Sequence, residues 1–266
     1  MWAACWKWPI GGLMLAVSLA VCALPSRAAL DLPERISQIK PAVVAVGTFQ
    51  ANRSPPFLLR GTGFAVGDGR QIVTNSHVVP ELLNSREGEY LVVQLGAGTA
   101  APRLSKVSVQ RREPAYDLAL LRLEGEAITT LPLQPDAQPV REGEGVGFVG
   151  FPIGTLLGLT PVTHRGIISA ITPIALPGAN SRQLNERQIL RLRSGTFEVY
   201  QLDATAYPGN SGGPLFSLDT GQVIGVLNMV FVKGSKEAVL SQPSGISFAI
   251  PARYIQQLLR DAQTQP

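Results

Sequence analysis

The chain has 266 residues, 45% of them hydrophobic, with 23 Lys and Arg against 19 Asp and Glu and a formal net charge of +4. That length suits one sizeable domain, or two small subdomains sharing an interface. The near-neutral balance offers no basic field for nucleic acid, and two cysteines and two histidines leave no disulfide framework or zinc cluster.

Residues 1–28 read as a secretory signal peptide. Lys7 precedes an apolar run over residues 10–24, and Ser26 and Ala28 supply small residues ahead of a cut after Ala28. The run is short for a membrane span. Retention as an anchor, or lipidation at Cys22 behind a bulky Val21, are the alternatives. Cleavage removes Cys5, Cys22 and two charges, Lys7 and Arg27, which leaves a balance of +2. This predicts an exported protein, periplasmic or secreted, with no stable membrane insertion after cleavage.

Residues 31–40 predict a short helix capped by Asp31 and stopped by Pro41. Strand signals then dominate, over 43–49, 63–66, 71–74, 90–95, 106–110 and 118–123. A second set covers 145–150, 162–171, 197–202, 214–217, 223–232 and 246–249. Many short strands at this spacing predict barrels or a sandwich. The proline-bearing segment 124–143 reads as a connector between two halves, about 42–125 and 144–250. Residues 173–196 form a long polar insertion, and 251–262 predict a closing helix with Pro251 in its first turn. No internal repeat is visible.

The stretch Gly209-Asn210-Ser211-Gly212-Gly213-Pro214 sets a serine among glycines that let backbone crowd a reaction centre. Backbone N–H groups of residues 209–211 could then form an oxyanion hole, worth about 2.7–4 kcal/mol per donor. A serine needs a base. His77, at the end of an apolar strand in Thr74-Asn75-Ser76-His77, is preferred to His164, whose strand pattern alone explains it. Asp117, opening Asp117-Leu118-Ala119-Leu120-Leu121, is the candidate that orients the imidazole. The Gly-x-Ser-x-Gly pattern also fits an α/β-hydrolase elbow, but no histidine follows Ser211 and strand rather than helix comes next. A dinucleotide site at Gly145-Val146-Gly147-Phe148-Val149-Gly150 lacks its helix, since Pro152 follows.

Gly61-Thr62-Gly63-Phe64, the block around His77, the run from Asp117, the segment from Val162 to Ala170, the serine hexapeptide and Gly245-Ile246-Ser247-Phe248 stand in the order found in HtrA/Deg-type, trypsin-like serine proteases. The resemblance covers nearly all of the chain after the leader. It implies an all-β fold of two six-stranded antiparallel barrels with a short N-terminal and a C-terminal helix, spanning 29–266. It implies a serine endopeptidase with His77, Asp117 and Ser211 as triad and Gly209, Asn210 and Ser211 as oxyanion hole, acting on polypeptides in envelope quality control. Thr205, Tyr207, Leu227 and Met229 would line the substrate pocket, which holds no carboxylate and so suits a small or medium aliphatic side chain. Substrate would add as a strand near residues 225–230. Asn210 replaces the aspartate of zymogen-type trypsins, which implies control by loop ordering. The chain leaves no room for the PDZ domain usual in that family, and a homo-oligomer is compatible but not implied. No metal or cofactor is called for. The rival is a secreted binding protein that keeps the fold and is catalytically silent until a partner activates it.

Overall fold

The computed structural model describes residues 1–2, 31–152, 158–173, 197–228 and 245–264. The leader from residue 3 onward, the insertion over 174–196 and Met229 lie outside the described residues.

Helix α1, Leu32–Ile39, begins where the Asp31 carboxylate accepts the Leu32 N–H at 2.8 Å. It ends one residue earlier than its sequence predicts, and Pro41 sits inside a 3-10 turn, Lys40–Ala42. A proline lacks the N–H that an α-helix would use there, and the tighter turn does without it. Arg35 on α1 is buried and donates from Nη2 to Asp219 O at 3.0 Å. Its guanidinium lies over Gly221, where a Cβ would come within 2.5 Å of Nη1.

Six strands follow: β1 Val43–Phe49, β2 Phe57–Val66, β3 Gln71–Asn75, β4 Tyr90–Leu95, β5 Arg103–Glu113 and β6 Leu118–Leu123. They close in the order β1-β2-β3-β6-β5-β4, every pair antiparallel. The second barrel comprises β7 Gly145–Gly150, β8 Val162–Pro173, β9 Glu198–Asp203, β10 Pro214–Ser217, β11 Val223–Asn228 and β12 Ile246–Pro251. Its order, β7-β8-β9-β12-β11-β10, repeats that of the first. Closure leaves neither barrel an open sheet edge.

Side chains divide three ways. Val46, Ile72, Val93, Ala119 and Leu121 fill the first barrel, and Phe148, Ile168, Leu202 and Leu227 fill the second. The opposite strand faces meet between them, where Phe64, Leu118, Leu120, Phe151 and Phe216 pack with Ile255 and Leu258 of the C-terminal helix. The strand β2 starts six residues before the alternation predicts, and β5 extends at both ends. The added residues of β5 are exposed or half-buried and mostly polar, so they carry no apolar alternation, while in β2 Phe57 and Leu59 pack against the interface between the barrels and Gly61 and Thr62 are buried.

The connector is stitched to both halves rather than loose. Leu131 N–H donates to Ala65 O at 2.9 Å, while Val223 N–H donates to Pro132 O at 2.8 Å and Gln134 N–H returns to Val223 O at 2.9 Å. The closing helix α2 spans Ala252–Thr264, so Pro251 ends β12 instead of opening the helix. A proline's fixed φ serves either place, and here Pro251 pairs with Gly225 across the sheet.

Candidate active site

Asp117 stands immediately before β6 with a φ of +53°, a left-handed conformation that Asp tolerates better than most side chains. The chain around it is held on both sides. Its N–H donates to Pro114 O at 3.2 Å, and its own carbonyl accepts Ser76 N–H at 2.9 Å and Asn75 Nδ2 at 3.1 Å. The carboxylate, 3% exposed, turns toward the 3-10 turn Ser76–Val78 that follows β3. A carboxylate so buried requires donors, and three are present. Oδ1 accepts the His77 backbone N–H at 3.0 Å; Oδ2 accepts His77 Nδ1 at 2.6 Å and Asn228 Nδ2 at 2.8 Å. Because a carboxylate can only accept, Nδ1 is the donor of that bond, and in a neutral imidazole so bonded Nε2 is the acceptor nitrogen.

Ser211 lies in the connection from β9 to β10, and that connection is pinned to both barrels. Thr62 of β2 donates its N–H to Ser211 O at 2.8 Å and its hydroxyl to Gly209 O at 2.6 Å. Thr74 bonds Thr62 O at 2.6 Å from the other side. In the second barrel, Gly212 N–H donates to Leu227 O and Leu227 N–H to Gly213 O, both at 2.9 Å. Gly212 has a φ of +87°, and a Cβ there would sit 2.0 Å from Thr62 O. Only glycine fits so close a backbone approach. Ser211 itself is 5% exposed.

Asn210, fully buried, turns its Nδ2 toward His164 Nε2 at 3.5 Å, and the His164 ring stacks on Phe148 at 4.7 Å and 15°. Burial holds the His164 imidazole below its ordinary range, so it is neutral at neutral pH. It shares no bond with Asp117; of the two histidines, His77 alone meets that acid. The Asn210 N–H already donates to Tyr207 O at 3.0 Å, so of the three residues expected to form the oxyanion hole this one has its N–H engaged within the loop.

The pocket residues divide. Thr205 and Tyr207 are half-buried on the approach to the serine loop, and Ala206 between them is fixed by donating its N–H to Ser247 Oγ at 3.0 Å. Leu227 is a correction: it is fully buried in the core of the second barrel, and its N–H and carbonyl are both taken by residues 212 and 213. Strand β11 also has a neighbour on each side, β10 and β12, so an added strand finds no free backbone at Gly225–Leu227. The sequence reading placed neither Asn228 nor Thr62 in the site. Thr62 stood inside a recognisable glycine block, but nothing local to Asn228 signals a bond to an acid 111 positions away. Among the described residues, no group of three His, Cys, Asp or Glu could hold a metal ion.

Comparison with known proteins agrees with this geometry. The trypsin-like peptidase domain matches residues 61–226. A protein named probable periplasmic serine endoprotease DegP-like, from Chlamydia pneumoniae, is 35% identical over 210 residues, covering 77% of this chain and 35% of that protein. Serine protease HTRA3 of Mus musculus is 30% identical over 235 residues, 86% of this chain and 44% of its own length. The chain thus spans well under half of these curated relatives. An HtrA-type protease solved with a tripeptide superposes with a TM-score of 0.59 at 24% identity, covering 87% of this chain and 63% of that one, a likeness of fold. The match over residues 61–226, on a chain folded as two closed six-stranded barrels, places it in the trypsin-like peptidase family, among relatives of HtrA/DegP type.

Proposed function

We propose that the chain is a serine endopeptidase in which His77, Asp117 and Ser211 form the catalytic triad. The observation that carries the reading is the 2.6 Å contact of His77 Nδ1 with Asp117 Oδ2, which leaves Nε2 to take the hydroxyl proton of Ser211. In this mechanism Ser211 Oγ bonds to the carbonyl carbon of the scissile peptide while its proton passes to Nε2. The Asp117 carboxylate stabilises the imidazolium, and Nε2 then returns the proton to the leaving amine. Water hydrolyses the acyl-enzyme by the same route in reverse. With the Asn210 N–H engaged, the oxyanion is received by the N–H groups of Gly209 and Ser211.

Thr205, Ala206 and Tyr207 border the primary pocket in this reading, with no carboxylate among them, and a small or medium aliphatic side chain is the preferred occupant. Residues 1–28 act as a cleaved leader and residues 29–266 as the mature peptidase domain, exported to cleave polypeptides in envelope protein quality control. Support comes from the composition of the leader and from the periplasmic naming of relatives.

The test is labelling by a fluorophosphonate probe. Wild-type protein is expected to label and Ser211→Ala to stay unlabelled; absence of wild-type labelling with or without polypeptide substrate would instead favour the catalytically silent binding protein.

A further inference from the structure

The strand β5 places two adjacent arginines in different compartments. Its pairing with β6 shifts register between Val109 and Arg111, so Gln110 is an extra, unpaired residue. Past this bulge, Arg111 lies opposite Leu120 and Arg112 opposite Ala119. Cross-strand partners share a face of the sheet. Leu120 belongs to the interface between the barrels and Ala119 to the interior of the first barrel, so the two guanidiniums part. Arg111 reaches the C-terminal helix at Asp261, 3.8 Å from Oδ2. Arg112 reaches the end of the barrel that is closed by the turn bearing His77.

There, among the described residues, Arg112 hydrogen-bonds to backbone. Its Nη1 donates to Ser76 O at 3.3 Å and to Val79 O at 3.0 Å, and its Nη2 to Pro80 O at 2.8 Å. These carbonyls flank His77 on both sides in sequence. Among the described residues Arg112 pairs with no carboxylate, and its burial disfavours the charged form, which makes the three carbonyls its means of stabilisation. A planar fork can bond three divergent acceptors where an ammonium cannot hold the same set in one fixed geometry.

We propose that Arg112 is a positioning residue of the active site: by capping the carbonyls of Ser76, Val79 and Pro80, its guanidinium holds the turn that carries His77 against Asp117. The assignment rests on the triad reading above. The same short stretch of chain thus governs the base twice, Asp117 orienting the ring and Arg112 fixing the backbone that bears it.

Arg112→Met and Arg112→Lys in the full chain test it. For Arg112→Met, kcat on a peptide substrate is expected to fall by about tenfold to a hundredfold with KM within about twofold, the signature of a misplaced catalytic group. Guanidinium added at low, non-denaturing concentration should restore part of that loss without raising wild-type activity, and Arg112→Lys should fall between the two. An unchanged kcat, or a loss that neither guanidinium nor lysine relieves, overturns the proposal. A second readout needs no turnover: the far-downfield proton of the His77 Nδ1–H bond, followed by NMR. It should shift or broaden in Arg112→Met and recover with guanidinium, and an unchanged resonance overturns the proposal. If wild-type protein cleaves nothing while this proton behaves as expected, the peptidase reading fails and the role of Arg112 stands. Should Arg112→Met not fold, Arg112→Lys decides by the same two measurements.

Discussion

The two barrels share one strand order but fix their site residues by different means. In each, the connection leaving the third strand supplies one residue: His77 after β3, Ser211 after β9. In each, the region between the fifth and sixth strands supplies another: Asp117 ahead of β6, Asn228 at the end of β11. His77 is held by side chains, Asp117 on its ring and Arg112 behind its turn. The serine is held by backbone, through Thr62, Leu227 and glycines that allow chains to touch. The division follows from chemistry. An imidazole needs one tautomer and one orientation, which a carboxylate supplies, whereas an oxyanion needs preorganised donors, which the N–H groups of tightly folded main chain can provide.

The comparison breaks most completely at Ser211. Ser211→Ala should lower kcat by about 10⁶ while thermal unfolding stays at the wild-type temperature; cleavage within tenfold of wild type would remove Ser211 from the chemistry. On the histidine side, Asp117→Asn is expected to cost about 10⁴ in kcat with the fold retained, because an amide favours the wrong imidazole tautomer. Activity within a fewfold of wild type would show that another group orients His77. The backbone-held side is probed by Gly212→Ala, whose Cβ would meet Thr62 O at 2.0 Å. Strain at that positive φ alone is worth about 1–3 kcal/mol, so calorimetry should find a lowered Tm along with lost activity. Asn228→Ala removes one donor from a buried carboxylate and should reduce kcat/KM by about tenfold, a loss of roughly 1.4 kcal/mol.

The smallest effect is expected at His164. Folding lowers its pKa from the ordinary 6.5, so folded and unfolded chains bind protons alike above that value. Below pH 6.5 the unfolded chain gains a proton that the folded one resists, and stability falls until the folded pKa is passed. His164→Phe keeps a ring on Phe148 and lacks the titration. Its Tm should therefore decline less than wild type between neutral pH and the mildly acid range, and equal declines would detach His164 from acid stability.

The strands with clean apolar runs, β1, β4, β6, β7 and β10, were legible to the residue, because burial there depends on pattern along the chain. So were His77, Asp117 and Ser211 as candidates, each standing beside a recognisable strand or glycine turn. Leu227 misled for a reason of phase: strand alternation gives two faces without saying which one meets a cleft, and β11 turns that side chain into the barrel. Asn228 and Thr62 were illegible as site residues because their partners come from the other barrel, at separations no local window spans. The repeat of strand order was invisible too, since different side chains satisfy the same topology. Asp117 shows the limit most clearly. Its place at a strand start could be read, but the left-handed turn that aims it could not.

The bulge in β5 works as a sorting device that depends on pairing register rather than on side-chain identity. Were Gln110 paired in a regular ladder it would take the place opposite Leu120, and Arg111 would enter the barrel while Arg112 turned out toward the helix. A slip of register in this strand at constant length is therefore felt at the histidine, although much of the strand's surface faces solvent. In the divergence of such chains, loss of Gln110 itself can be absorbed, because Arg111 and Arg112 keep their partners, whereas a slip of register cannot.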